Sequence, residues 1–289
     1  MGSQTTGRHT RRESVSLPSD RTLAYTEYGS PDGTPVLFFH GTPGSRRLAK
    51  LFDAAARSHG IRLLAFDRPG YGLSSPWPER TVRDTARVVP PVLDDAGIDT
   101  AGVVAFSGGA PYALASAATH PARIDRLDLV AGATPPRFAA EQPAVQRLLR
   151  GMATTTPRLL RAAFRVQTRV ARHRDPSFVV GQYTTGDTAD AVSDHVAGIV
   201  REDFLEAFAN HRHGAVTEFR HAAGDWNVAF DDVDTEVRVW HGTDDTNVPL
   251  AAVRRFESEL PNAELRVCDG ADHLHTVLRC VPDVFAGDA

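Results

Sequence analysis

The chain reads as an α/β protein, a mostly parallel, doubly wound eight-stranded sheet with a helical cap inserted between two strands. Three observations carry this reading. The runs VLFFH (36 to 40), IRLLAF (61 to 66) and GVVAF (102 to 106) are apolar on both faces and alternate with helix-like stretches, as buried parallel strands do. Similar strands return late, at EVRVWHG (236 to 242) and AELRVCDG (263 to 270), with a helix between them. Between about 133 and 225 the alternation stops and only helical stretches remain.

Taken in order, ESVSLPSDRTLAYTEYG (13 to 29) gives two short alternating strands joined by a turn at Pro18-Ser19-Asp20. After the turn-rich SPDGTP come VLFFH, a helix near 46 to 59, IRLLAF, a helix near 81 to 96, GVVAF, and a further strand within RIDRLDLVAG (123 to 132). The interruption contains PRLLRAAFRVQTRVARHR and REDFLEAFANHRH, both helical in pattern. The expected organisation is therefore a core of residues 1–132 and 226–289 carrying a cap of residues 133–225, and such caps shape substrate pockets.

Composition narrows the function classes. With 289 residues and 42% apolar content the chain can bury a sizeable core, and its net charge of −4 argues against a general nucleic-acid binder. No apolar run is long enough to span a membrane. The N-terminal stretch contains a twin arginine, Arg11-Arg12, but no apolar segment follows to make an export signal, so the expected location is the cytoplasm. Cys268 and Cys280 are too few for a disulfide framework and lack metal-ligand spacing, so they are expected to be reduced thiols without a role. Lys50 is the only lysine.

Ser107 ends the GVVAF strand and starts a helix, within Ala105-Phe106-Ser107-Gly108-Gly109. A sharp strand-to-helix turn strains the serine backbone, and residues two positions to either side must be small, as Ala105 and Gly109 are. Such an elbow pushes the hydroxyl out at the sheet edge and aims helix amides at the same point. By itself the pattern also fits a serine that only caps a helix. HGTPGS (40 to 45) follows a central strand and can lay a second amide beside the elbow. Gly108 and Thr42 are then the expected donors to an oxyanion, Pro43 having no N–H. A base and its orienting acid are expected at later strand ends: Asp244 and Asp245 in WHGTDDTNVP, and His273 in CDGADHLH.

With HGTPG, DRPGYGLS (67 to 74), AFSGG, HGTDDTNVP and DHLH in this order, the chain resembles the α/β-hydrolase fold family along nearly its whole length. The family pattern G-x-x-D-x-x-V-P selects Asp245, because Gly242, Asp245, Val248 and Pro249 then align. The resemblance likewise favours His273 over His275, with Asp272 replacing the more usual glycine, and alanine at 105 replaces the first glycine of G-x-S-x-G. Asp67 to Ser74 resembles the family's structural loop. Phe106, beside the serine, and Trp226, in the GDWNVAFDDV stretch that closes the cap, are the pocket candidates.

The resemblance implies a serine hydrolase acting on a small acyl compound through a Ser107-His273-Asp245 triad, without metal or organic cofactor. Serine at the elbow disfavours the epoxide hydrolases and haloalkane dehalogenases of the family, which use aspartate there. Esters, thioesters, lactones and amides remain open, as do carbon-carbon bond hydrolysis and cofactor-free perhydrolysis. HGTPG is also similar to the HGGPG loop of proline iminopeptidases, although no acidic site for a substrate amine stands out in the cap. The competing class is a non-catalytic small-molecule-binding scaffold. His211, His213 and His221 fall in or near a cap helix, where solvent-facing or capping roles are expected rather than a metal site. Arg158, Arg161, Arg165, Arg169 and Arg172 align on one helix face, ordinarily a solvated one; the sharper alternative is an anionic partner such as a phosphopantetheine carrier or coenzyme A thioester. Acyl chain length and oligomeric state are not written in the residues.

Overall fold

β1 (Arg12–Leu17) and β2 (Arg21–Gly29) form the expected hairpin, and its turn places Ser19 and Asp20 at φ of 65° and 56°, where short polar side chains are tolerated. The structure, a computed structural model, describes residues 12–138, 143–186 and 191–287. Arg11 of the arginine pair and everything before it lie outside the described residues.

The core continues through β3 (Thr34–Phe39), α1 (Asp53–Ser58), β4 (Ile61–Phe66), α2 (Val82–Thr85), α3 (Val89–Asp95), β5 (Ala101–Phe106), α4 (Ala110–Thr119) and β6 (Ile124–Val130). Between β6 and the next strand come α5 (Ala144–Thr155), α6 (Pro157–His173), α7 (Ser177–Val180), α8 (Asp194–Ala207) and α9 (His213–His221), and no strand among the described residues. The chain closes with β7 (Glu236–Gly242), α10 (Leu250–Glu257), β8 (Ala263–Cys268) and α11 (His273–Ala286). Two expected helices are broken. The segment near 46 to 59 starts as a 3-10 helix, Arg46–Phe52, before α1. The one near 81 to 96 splits into α2 and α3, because Pro90 and Pro91 have no N–H to return to the preceding turn.

The eight strands lie in the order β1-β2-β4-β3-β5-β6-β7-β8, and only β2 runs against the rest. Alternate strand residues feed two apolar layers. Leu37, Phe39, Leu64, Val103 and Leu127 face α3, α4 and α10, whereas Val36, Phe38, Leu63, Val104 and Phe106 face α1, α11 and the helices between β6 and β7. This second layer is the one on which the site is built. Among the described residues no helix is long and apolar enough to cross a membrane. Cys268, at the end of β8, and buried Cys280, on α11, are free thiols with their sulfurs 2.7 Å apart.

One polar cluster interrupts the apolar strands. Asp128 on β6 is fully buried and faces Arg238 on β7 across the parallel pair, accepting two hydrogen bonds from its guanidinium at 2.7 Å. The Trp240 indole N–H and Arg126 Nε donate to the same carboxylate, each at 2.8 Å. Replacing Asp128 by alanine leaves a buried indole donor unsatisfied and removes the counter-charge of two arginines. We expect a loss of about 2 to 4 kcal/mol in unfolding free energy, read from the urea denaturation midpoint.

Candidate active site

Ser107 follows β5 with φ of 51°, a left-handed conformation that an L-residue rarely adopts. The turn is sterically interlocked. A Cβ built on Gly109 would stand 2.7 Å from the carbonyl oxygen of Phe39, and one on Gly108 would stand 2.3 Å from Thr42 Oγ1. Small residues are therefore required on the C-terminal side of the serine. On the other side Ala105 is fully buried in the sheet.

His273 is the first residue of α11, whose N-cap is Asp272. That explains the departure at 272. The Asp272 carboxylate accepts from the His275 backbone N–H at 2.8 Å and pairs with the His275 ring at 2.9 Å, which also occupies the second histidine. His273 Nε2 lies 2.8 Å from Ser107 Oγ, and its Nδ1 lies 2.7 Å from Asp245 Oδ2. The Oδ1 oxygen of Asp245 accepts from the backbone N–H groups of Asn247 and Val248, at 2.8 and 2.9 Å, which fixes the carboxylate. Burial pushes this carboxyl up, but the His273 charge and hydrogen bond outweigh it and the net shift is downward. Asp244 is exposed and takes no part in this chain of contacts. The arrangement holds a proton on Nδ1 and offers the Nε2 lone pair to the serine hydroxyl.

The Thr42 amide lies beside the elbow, its nitrogen 3.2 Å from the Cβ position built on Gly108. Among the described residues neither the Thr42 nor the Gly108 N–H donates a hydrogen bond. The side chain of Thr42 is clamped: its hydroxyl donates to Glu218 at 2.5 Å and accepts from Arg68 at 3.2 Å. Glu218 comes from α9 in the inserted segment, is 3% exposed, and also receives Arg68 Nε at 2.7 Å, Arg80 at 2.8 Å and the Tyr71 hydroxyl at 2.9 Å. Arg68 in turn donates to the carbonyls of His40 and Gly41. His40 is fully buried, donates from Nδ1 to Gly41 O at 2.7 Å and accepts the Arg68 backbone N–H on Nε2 at 3.1 Å. Burial, reinforced by the Arg68 charge, keeps it well below the usual imidazole range. Asp67 caps its own loop through Arg46 N and Leu73 N, at 2.8 and 3.0 Å.

A narrow cavity lies next to the elbow, between the loop after β3, Phe106 and α8. Leu48, Phe106, Val200 and Leu274 form its apolar walls, Gly41 and Pro43 its loop side, and Tyr183 and Asp203 its polar lining. Tyr183 stacks over the His273 ring, 6.3 Å between centroids and 10° from parallel, and Phe106 lies 5.0 Å from the same ring. The expectation for Trp226 is corrected. It packs edge-on against Phe256 in the apolar layer on the opposite face of the sheet, and it does not line this cavity. Asp203 on α8 is an acidic residue in the lining of this cavity. Glu218, Tyr183 and Asp203 carried no sequence signal, because each meets a partner 90 or more residues away.

Of the arginine stripe on α6, Arg158, Arg165, Arg169 and Arg172 are exposed, and Arg161 reaches His213 at 2.8 Å. None of the five lines the cavity. His221 is held between the Tyr112 hydroxyl at 3.0 Å and the Arg80 carbonyl at 2.7 Å, and burial with the nearby Arg80 charge lowers it to about 4.

The Glu218 cluster yields an acid-stability prediction. Burial opposes its ionisation, but Arg68 and Arg80 win and lower the carboxyl from an ordinary 4.5 to about 2. A depressed carboxyl adds stability that is complete above the unfolded value and is lost as pH falls through the folded one, here between 4.5 and about 2. Glu218→Gln leaves two guanidiniums buried without counter-charge and should cost about 3 to 5 kcal/mol near neutrality. In urea titrations the gap between the two proteins should narrow as pH falls through that window.

Residues 34–275 match the family described as alpha/beta hydrolase fold. The chain is 29% identical over 267 residues to a 2-hydroxy-6-oxononadienedioate/2-hydroxy-6-oxononatrienedioate hydrolase of Paraburkholderia phymatum, covering 86% of this chain and 83% of that protein. It is 28% identical over 281 residues to a non-heme chloroperoxidase of Streptomyces lividans, covering 95% and 96%. The solved structure of a thermophilic esterase from Thermogutta terrifontis superposes with a TM-score of 0.71 at 20% identity, over 96% of this chain and 97% of that one. With its sheet order, its elbow and a match spanning most of its length, this chain belongs to the α/β-hydrolase fold family.

Proposed function

We propose that the protein is a serine hydrolase that cleaves an ester-type bond, in a carboxylic ester, thioester or lactone, through an acyl-enzyme. The observation that carries this is the unbroken chain Asp245, His273, Ser107, with contacts of 2.7 and 2.8 Å. Ser107 Oγ attacks the substrate carbonyl carbon while its proton passes to His273 Nε2. Asp245 holds the imidazole in the required tautomer and stabilises the imidazolium that forms. The negative charge that develops on the carbonyl oxygen is received by the amides of Thr42 and Gly108, a contribution of about 3 kcal/mol for a single donor. Collapse of the tetrahedral adduct expels the leaving group, which takes the proton back from His273. Water, deprotonated by the same imidazole, then attacks the acyl-enzyme and frees the acid and Ser107.

The protein's cavity has apolar walls, Leu48, Phe106, Val200 and Leu274, which suit the carbon chain of an acyl group. The hydrolase and esterase names among its relatives support a hydrolytic reaction without specifying a substrate.

Turnover of short p-nitrophenyl esters tests the reading. Ser107→Ala and His273→Ala should each lower kcat by about 10⁴-fold or more, with the double variant no worse than either single one, because the groups act as a unit. A fluorophosphonate should label Ser107 in the folded protein. Undiminished turnover by Ser107→Ala, or an unlabelled serine in an active preparation, would overturn the proposal.

A further inference from the structure

Asp203 lies on α8, is 4% exposed, and lines the cavity beside Ser107. Its two oxygens are used very differently. Oδ1 accepts three hydrogen bonds, from Ser45 N at 2.8 Å, Ser45 Oγ at 2.7 Å and Leu48 N at 3.1 Å. These tie α8 to the start of the Arg46–Phe52 helix. Oδ2 has no hydrogen-bond partner among the described residues, and no cation there lies within ion-pair distance of the carboxyl. Arg46, the nearest buried guanidinium in sequence to Ser45, is taken by Asp67 and Glu206.

Asp203 Oδ2 is not fully enclosed, and a carboxyl oxygen that keeps a little exposure without a protein donor is met by water or by a ligand. The remaining walls offer little else: Leu48, Phe106, Val200 and Leu274 are apolar, and the Tyr183 hydroxyl already donates to Pro43 O at 3.3 Å. A ligand filling this cavity therefore meets one unsatisfied acceptor.

We propose that Asp203 determines specificity by receiving, on Oδ2, a hydrogen-bond donor carried by the part of the substrate that fills the cavity, an ammonium or a hydroxyl group. The inference rests on the reading of Ser107 as nucleophile only for the orientation of that substrate. Burial pushes the carboxyl up to about 7, and the Ser45 and Leu48 hydrogen bonds only partly offset it. Near neutrality the group can thus meet either donor, as a carboxylate beside an ammonium or as an acid exchanging hydrogen bonds with a hydroxyl.

The test uses p-nitrophenyl esters of matched length whose acyl chains end in methyl, hydroxyl or ammonium. The protein should prefer at least one of the polar esters over the methyl ester by tenfold or more in kcat/KM. Which polar arm leads identifies the donor. Asp203→Asn should remove that preference, bringing the kcat/KM values of the three esters within threefold of one another. Ser45→Ala, which removes one of the three contacts to Oδ1 along with a helix cap, should leave the preference in place. Binding of the corresponding non-hydrolysable amides, measured by calorimetry, separates this inference from the catalytic one. Tighter binding of a polar amide that Asp203→Asn abolishes sustains the inference even if no ester is turned over. Equal treatment of all three end groups, or a preference that Asp203→Asn leaves intact or Ser45→Ala equally erases, would overturn it.

Discussion

The structure depends most on one buried carboxylate. Glu218 sits beneath the loop after β3, where five donor groups from Thr42, Arg68, Arg80 and Tyr71 converge on its two oxygens. A charge this deeply buried persists only where its neighbours neutralise and hydrogen-bond it, and here they do both. Through Arg68 the cluster holds the carbonyls of His40 and Gly41, and through Thr42 Oγ1 it holds the residue whose amide faces the elbow. A group from the inserted helices thereby sets the position of a group in the core. The loop after β3 is thus cross-braced by α9 and Arg68.

The rest of the site follows from the sheet. β3, β5, β7 and β8 are parallel, so the segments following them emerge at one edge, the usual location of sites in open α/β sheets. Thr42, Ser107, Asp245 and His273 each follow one of these strands closely. The left-handed backbone at Ser107 is local strain tolerated because β5 is buried on both faces and Gly108 and Gly109 admit the opposing loop.

Much of this was legible in the residues because it is local. β4 and β7 occupy the segments 61–66 and 236–242 read from their apolar runs, and the serine, histidine and aspartate that meet in space are those expected at strand ends. Asp272, odd beside a family glycine, is an N-cap, a role that aspartate performs well. What escaped was long-range. Phe106 and Trp226 are both large aromatics near expected strand or cap boundaries, yet sheet alternation and the path of the returning chain put them on opposite faces. Asp203 and Glu218 occupy helix positions that a periodicity reading assigns to solvent as readily as to a buried bond, since amphipathic pattern does not reveal what a carboxylate meets.

The interlock between the helical insertion and the catalytic edge bears on how such proteins diversify. If α5 to α9 were a detachable roof, recombination could exchange it freely among relatives and alter selectivity alone. Here α9 brings the counter-charge for Arg68 and Arg80, and α8 brings Asp203 to Ser45. A chimera carrying a foreign insertion would inherit two stranded guanidiniums in its interior and an unsupported donor loop. Drift in this segment is therefore confined to faces such as the exposed side of α6, while α8 and α9 must change together with residues 40 to 80 or not at all.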